Sequence, residues 1–339
     1  MIKQVKVFFI KGINKIYRES FKFYNKIFKL WAPNDIEFHY YGASYYLLKS
    51  LKLRMPAEIV CKHINWPHGW VPKHEIKANS IGRIYPAFES IDIPYYNFIS
   101  TKLHEEFLRE KGVSNVKAIG HPFIYSNFKK RKPVLNSLLV LPIHTSSGQS
   151  FSEVDFEKYV DEIDKIRHNY SVVDVMIHPN CIRQGYWINE FSKRKYRTFS
   201  GFEPSNMRTG SNLKKIFSKY EYMTTNGFGS HIVFAAYCGL KVSIYGTFAT
   251  EDMEGLKQYI DIFPEYYKNN YYFIGEKRIV LRSEVDLKLN FPFLFKNPKN
   301  AILAVDWAKD ELGFENKINS ADFTKISNEI IWNLKATKI

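Results

Sequence analysis

Two short runs of this 339-residue chain gather residue types that can hold a phosphate group. In the first, the apolar Val175-Met176-Ile177 is followed by His178-Pro179-Asn180 and then by Arg183. Such a run predicts a strand with His178 at its carboxyl end and Pro179 at the first turn of the next helix. A helix start offers backbone N–H groups and the positive end of its dipole, and His178 and Arg183 add charge-assisted donors. The same dipeptide also serves as a plain cap. In the second run, Thr224-Thr225-Asn226-Gly227-Phe228-Gly229-Ser230 leads into the apolar stretch 231–236. Its glycines permit a tight turn and close approach of a ligand to the backbone, and Ser230 is expected to cap the following helix. It lacks the Gly-Lys-Ser/Thr ending of a triphosphate loop and the third glycine of a dinucleotide fingerprint. A third run, His144-Thr145-Ser146-Ser147-Gly148, offers hydroxyls and amides that suit the other side of a phosphate, or water equally well.

Proton transfer needs a group that titrates near neutrality. His68, in Asn65-Trp66-Pro67-His68-Gly69-Trp70, is the candidate general base, and its flanking tryptophans suit a sugar face; packing among those rings is the alternative. Glu89 and Asp92 are the carboxylate alternatives. No acidic pair stands at a strand end in a metal-binding pattern. There is no HExxH, and the three cysteines (Cys61, Cys181, Cys238) are too widely spaced for a metal or disulfide framework. Neither a metal nor a cofactor is expected, only a substrate nucleotide.

These residues need strands to present them. From 32 to about 127, strand-like runs (36–41, 57–61, 96–99, 116–119) alternate with helical stretches such as 103–111. The basic Asn127-Phe128-Lys129-Lys130-Arg131-Lys132-Pro133 reads as a linker. The alternation then restarts, with strands at 137–143, 172–177, 222–225 and 241–245 and helices at 156–168, 187–195, 213–220 and 231–238. Helices near 301–312 and 321–334 close the chain. Repeated βα units predict a parallel, doubly wound sheet, whose ligands bind beyond the carboxyl ends of the strands. The three phosphate-suited runs all fall there. The expected segments are a basic helix over 1–31, a first Rossmann-like domain over 32–130, a nucleotide-binding domain over 131–300 and closing helices over 301–339, which can fold back on the first domain.

The net charge of +15 admits nucleic acid, an anionic membrane or phosphorylated substrates as partners. No zinc finger, helix-turn-helix or RNA-binding aromatic signature is present, which argues against nucleic acid. Residues 1–31 place Ile10, Ile13, Tyr17, Phe21, Tyr24, Phe28 and Trp31 on one stripe, with seven lysines and Arg18 against the single acid Glu19. That pattern suits an anionic bilayer surface, or packing on the chain's own domain. With no signal peptide and no membrane span, a cytoplasmic protein, peripheral on the inner face of the membrane, is expected.

The arrangement resembles a known superfamily. Tyr96-Asn97-Phe98-Ile99-Ser100, Leu108, Gly112-Val113 and Val116-Lys117-Ala118-Ile119-Gly120-His121-Pro122 look like the end of the first domain of a GT-B glycosyltransferase. The stretch 224–246, ending Gly239-Leu240-Lys241-Val242-Ser243-Ile244-Tyr245-Gly246, looks like its donor domain. His178-Pro179 with Ser230 downstream is similar to the HP and serine motifs of bacterial sialyl- and Kdo-transferases. That resemblance implies a CMP-activated acidic sugar as donor, with His178 and Pro179 on the nucleotide and Ser230 on its phosphate. Donor contacts would also come from His144, Ser146, Ser147, Asn180, Arg183, Thr225, Asn226, Gly227 and Gly229. The acidic motif that carries the base in sialyltransferases has no counterpart in the first domain. Pro67-His68-Gly69 is instead similar to the His-Gly of CDP-glycerol glycerophosphotransferases. The fold implied is α/β, two Rossmann-like doubly wound domains facing a cleft, and the reaction is transfer of a sugar to a bacterial surface glycan or lipid-linked glycan. A UDP- or GDP-sugar transferase, a polyol-phosphate transferase and a non-catalytic glycan-binding or polysaccharide-assembly protein are the alternatives.

Overall fold

The computed structural model describes residues 43–52, 64–66, 69–77, 96–110, 113–126, 132–144, 155–202, 208–249 and 282–336. The expected helix over 1–31, the strands at 36–41 and 57–61, and residues 127–131 of the expected 127–133 linker lie outside them. So do His68, Glu89, Asp92, Ser146 and Ser147.

The first part of the chain contributes α1 (Ala43–Ser50), β1 (Ile64–Asn65), α2 (Lys73–Lys77), β2 (Tyr96–Ile99), α3 (Lys102–Glu110) and β3 (Val116–Ala118). Its strands form a three-stranded parallel sheet in the order β1-β2-β3. Apolar residues at three- and four-residue steps turn one face of α3 inward, burying Phe107 and Leu108 against Ile99 and Val116. His104 on the same helix is buried, donating from Nε2 to the Val71 carbonyl and accepting from the Thr101 hydroxyl at Nδ1. That pair of bonds fixes its tautomer, and burial pushes its pKa down to about 4.

The second part supplies β4 (Ser137–Val140), α4 (Phe156–Arg167), β5 (Val172–Ile177), α5 (Pro179–Gln184), α6 (Ile188–Lys193), β6 (Arg197–Ser200), α7 (Thr209–Phe217), β7 (Tyr222–Thr225), α8 (Ser230–Tyr237) and β8 (Lys241–Ile244). The five strands lie in the order β6-β5-β4-β7-β8, every neighbouring pair parallel. The continuous burial of β4 and β7 is what a sheet covered on both faces demands. Burying each Leu or Val of such a strand contributes about 1.5–3 kcal/mol. The fold is α/β with parallel sheets, compatible with a Rossmann-like fold. The chain winds from β4 outward through β5 to β6, then returns to the other side of β4 for β7 and β8. The reversal at β4 and β7 is the switch point at which such sheets bind ligands.

The helix expected at 187–195 is shorter and has a neighbour. Two short helices, α5 and α6, stand where the sequence pattern marks one, parted by Gly185 in the left-handed region and by Trp187 at φ 66°. β6 and a later helix, α9 (Glu284–Asn290), have no counterpart in the sequence pattern. The closing segments are α10 (Val305–Glu311) and α11 (Ser320–Ala336).

Both sheets belong to one compact unit, residues 39–339. The Tyr46 hydroxyl donates to Ser211 Oγ at 2.7 Å, and the buried Lys214 ammonium donates to the Ser126 carbonyl at 2.6 Å while facing the Phe123 and Tyr237 rings. Burial lowers the Lys214 pKa to about 8. The closing helices return to the first sheet: Ile318 N–H donates to Tyr125 Oη, Ser320 Oγ to the Leu51 carbonyl, and Phe323 packs on Phe98.

Candidate functional site

At the carboxyl end of β5, His178 is the N-cap of α5, and its Nδ1 accepts the Asn180 N–H at 3.2 Å. A ring nitrogen that accepts must be unprotonated, so the proton of the neutral ring sits on Nε2. Pro179 takes the first helical position, where a missing N–H costs nothing. Arg183, one turn on, donates to Asn180 Oδ1 at 3.3 Å, which keeps that side chain on the helix. The His144 imidazole, from the end of β4, stacks on His178 with centroids 4.1 Å apart and planes 18° from parallel. His144 is exposed and His178 partly so.

A second His-Pro pair shows what is local in this geometry and what is not. His121 closes β3, accepts the Phe123 N–H at Nδ1 (3.1 Å), and is followed by Pro122 at the start of a 3-10 turn. The device is the same, yet His121 is wholly buried against Phe234. Capping is thus the general job of His-Pro here. Accessibility and the stacked partner ring set His178 apart.

The turn after β7 is built differently from the expectation. Asn226 is fully buried, with both ends of its carboxamide engaged: Oδ1 accepts the Ile143 N–H (3.0 Å) and Nδ2 donates to the Thr247 carbonyl (3.3 Å). Its own carbonyl accepts the Ala249 N–H at 2.7 Å. Asn226 therefore ties the loops after β4, β7 and β8 together instead of facing a ligand. Thr225 is also buried, with its hydroxyl 3.0 Å from His231 Nε2 and 3.4 Å from the Gly227 carbonyl. Since that carbonyl can only accept, the hydroxyl donates to it and receives the His231 Nε2–H. Burial, and then the nearby His144, push the His231 pKa down to about 3, so the ring is neutral at physiological pH.

The glycines make room for neighbouring side chains. A β-carbon on Gly227 would stand 2.8 Å from the Ile143 side chain, and one on Gly229 3.1 Å from the His231 ring. The N-cap of α8 is Gly229, which carries no capping side chain, so the first amides of α8 are not satisfied by one. Ser230, the expected cap, is instead the first helical residue. Its hydroxyl accepts the Trp70 N–H at 2.8 Å, which leaves its own proton to donate.

That last bond joins the two sheets at the site. Gly69 lies so close that a β-carbon there would be 2.8 Å from Ser230 Oγ. The Trp70 ring packs on Phe228 and Trp307, and its indole N–H donates to Glu311 Oε2, which also accepts the Lys73 N–H. Burial raises the Glu311 pKa. His144, His178, Pro179, Gly229 and Ser230 thus all lie beyond the carboxyl ends of the neighbouring strands β4, β5 and β7, with the Gly69-Trp70 loop against Ser230. His68 precedes that loop outside the described residues. Sequence reasoning missed His231, the positioning role of Asn226, and Trp187. Among the described residues no cluster of His, Cys, Asp and Glu is arranged to hold a metal ion. No protein-family model matches the chain, and no curated protein is similar enough to match it.

Proposed function

We propose that the protein is a nucleotide-sugar-dependent glycosyltransferase of the GT-B kind, with donor phosphates held at the carboxyl ends of β4, β5 and β7. A CMP-activated acidic sugar, of the Kdo or sialic-acid type, is the preferred donor, and a bacterial surface glycan or lipid-linked glycan the acceptor. The observation that carries this reading is the convergence of His144, His178 and the start of α8 at the point where the strand order reverses. On this reading the donors are the His178 imidazole, the Ser230 hydroxyl and the first amides of α8. Such preorganised donors stabilise negative charge as it develops on a departing nucleotide phosphate. Removal of the acceptor proton is assigned to His68, next to the Gly69-Trp70 loop that rests on Ser230. Glu89 and Asp92 are the other candidates for that role.

The experiment is a thermal-shift screen of the full chain with CMP, CDP, UDP and GDP. CMP at about a hundredfold excess over its dissociation constant should add about 2.7 kcal/mol, a rise of several degrees in Tm. A preference for another nucleotide would reassign the donor, and no shift with any of the four would sink the donor-site reading.

A further inference from the structure

The His144 ring that stacks on His178 is carried by the loop after β4. Its stem is the Ile143 peptide, and that peptide is gripped on both sides. Asn226 Oδ1 takes its N–H at 3.0 Å, and Trp187 Nε1–H donates to its carbonyl at 3.0 Å. The tryptophan reaches that carbonyl from an unusual backbone. Trp187 has φ 66° and ψ −38°, and the Ile188 N–H donates back to the Tyr186 carbonyl at 2.7 Å. This is a γ-turn of the rarer, strained hand, centred on a bulky residue for which positive φ is an outlier. Strained residues persist only where the surroundings over-determine them, and they gather at functional sites. Here the indole is wedged edge-on against Phe156 and Tyr159 and is almost wholly buried. The turn's product is one N–H aimed at the carbonyl that precedes His144.

We propose that Trp187 is a positioning residue: with Asn226 it locks the Ile143 peptide and so holds the His144 imidazole stacked on His178, making the two rings one preformed receptor for a phosphoryl group. Only the last clause, on anion binding, rests on the donor-site reading; the clamp and the stack do not.

The test uses the full chain with isotope-labelled histidine. Stacked imidazoles shift each other's ring-proton resonances upfield, a signature that global stability does not reproduce. In the wild type, the His144 and His178 ring protons should be shifted together. Trp187→Phe keeps the aromatic packing but removes the N–H, and should return both sets toward free-imidazole positions. Asn226→Leu, which removes the acceptor for the Ile143 N–H, should lose the shifts as well. Tm measured on each variant separates loss of the stack from loss of the fold. For the nucleotide that stabilises the wild type, Trp187→Phe should weaken affinity by about five- to tenfold, the equivalent of one hydrogen bond. Unchanged ring shifts in a folded Trp187→Phe protein would overturn the proposal. Shifts that respond as described in a protein that binds no nucleotide would uphold the clamp and sink the donor-site reading. Nucleotide binding by a wild type with unshifted rings would do the reverse.

Discussion

Two histidines, one buried and one half-buried, carry a pH dependence of stability. His104 and His231 are neutral in the folded chain, with pKa values pushed to about 4 and about 3, mainly by burial. In the unfolded chain they titrate near 6.5. Between pH 6.5 and 4 the unfolded state therefore takes up protons that the folded state refuses. Their contribution to stability is complete above pH 6.5 and is lost as the pH falls, by up to about 1.4 kcal/mol per pH unit for each group. Replacing His104 by Asn should lower Tm at pH 7, because two hydrogen bonds are disturbed, yet flatten the fall in Tm between pH 6.5 and 4.5. An unchanged slope would show that His104 already titrates normally in the fold.

Two glycines with positive φ make a controlled pair at the scale of elements. Gly185 ends α5 at φ 80°, and a β-carbon there would meet nothing within 4 Å, so Gly185→Ala should cost only the left-handed penalty, about 1 kcal/mol. Gly313 follows α10 at φ 62°, and a β-carbon there would fall 1.7 Å from the Ser100 carbonyl at the end of β2. Gly313→Ala should cost about 3 kcal/mol, since the turn after α10 must back away from the first sheet. Chemical denaturation of both variants checks the difference, and equal costs would mean that this contact can yield. How far such elements are legible from sequence depends on what marks them. β5 is an apolar run broken only by Asp174, β7 is a Tyr-Met-Thr-Thr run that ends at a glycine turn, and the bounds of both agree with the expectation. β6, Arg-Thr-Phe-Ser at a sheet edge, has one apolar residue and no such signal. Asn226 reads as a ligand-facing turn residue because nothing local reveals that the loops after β4 and β8 close over it. The γ-turn at Trp187 has no sequence signature either, as its reason lies in the distant Ile143 carbonyl.

At the scale of the molecule, the two sheets share one apolar core, in which Phe123 stacks on Phe234, and specific polar contacts cross it: Trp70 on Ser230, Lys214 on Ser126, Tyr46 on Ser211. The closing helices take part in these contacts. Glu311 of α10 holds both Trp70 and Lys73, and Lys73 also pairs with Asp310. Among the described residues no helix is long and apolar enough to cross a membrane. If the molecule works at a bilayer, the lysine-rich segment 1–31 is the part whose composition suits it. Deleting residues 1–30 should then abolish most co-sedimentation with vesicles rich in phosphatidylglycerol while leaving binding to neutral vesicles unchanged and weak. Equal sedimentation of the full and shortened chains would remove the membrane from the account.

The two His-Pro pairs differ in what they can survive over generations. At position 121 the ring's task is to cap a turn and fill space beside Phe234, and Asn, which accepts the same N–H, keeps the first of these. At position 178 Asn would keep the cap but present no ring to His144. Drift is therefore open at one site and closed at the other, although the dipeptides are identical. Descendants of this chain should be traceable by two histidines just beyond adjacent strands, even where the first His-Pro has worn away.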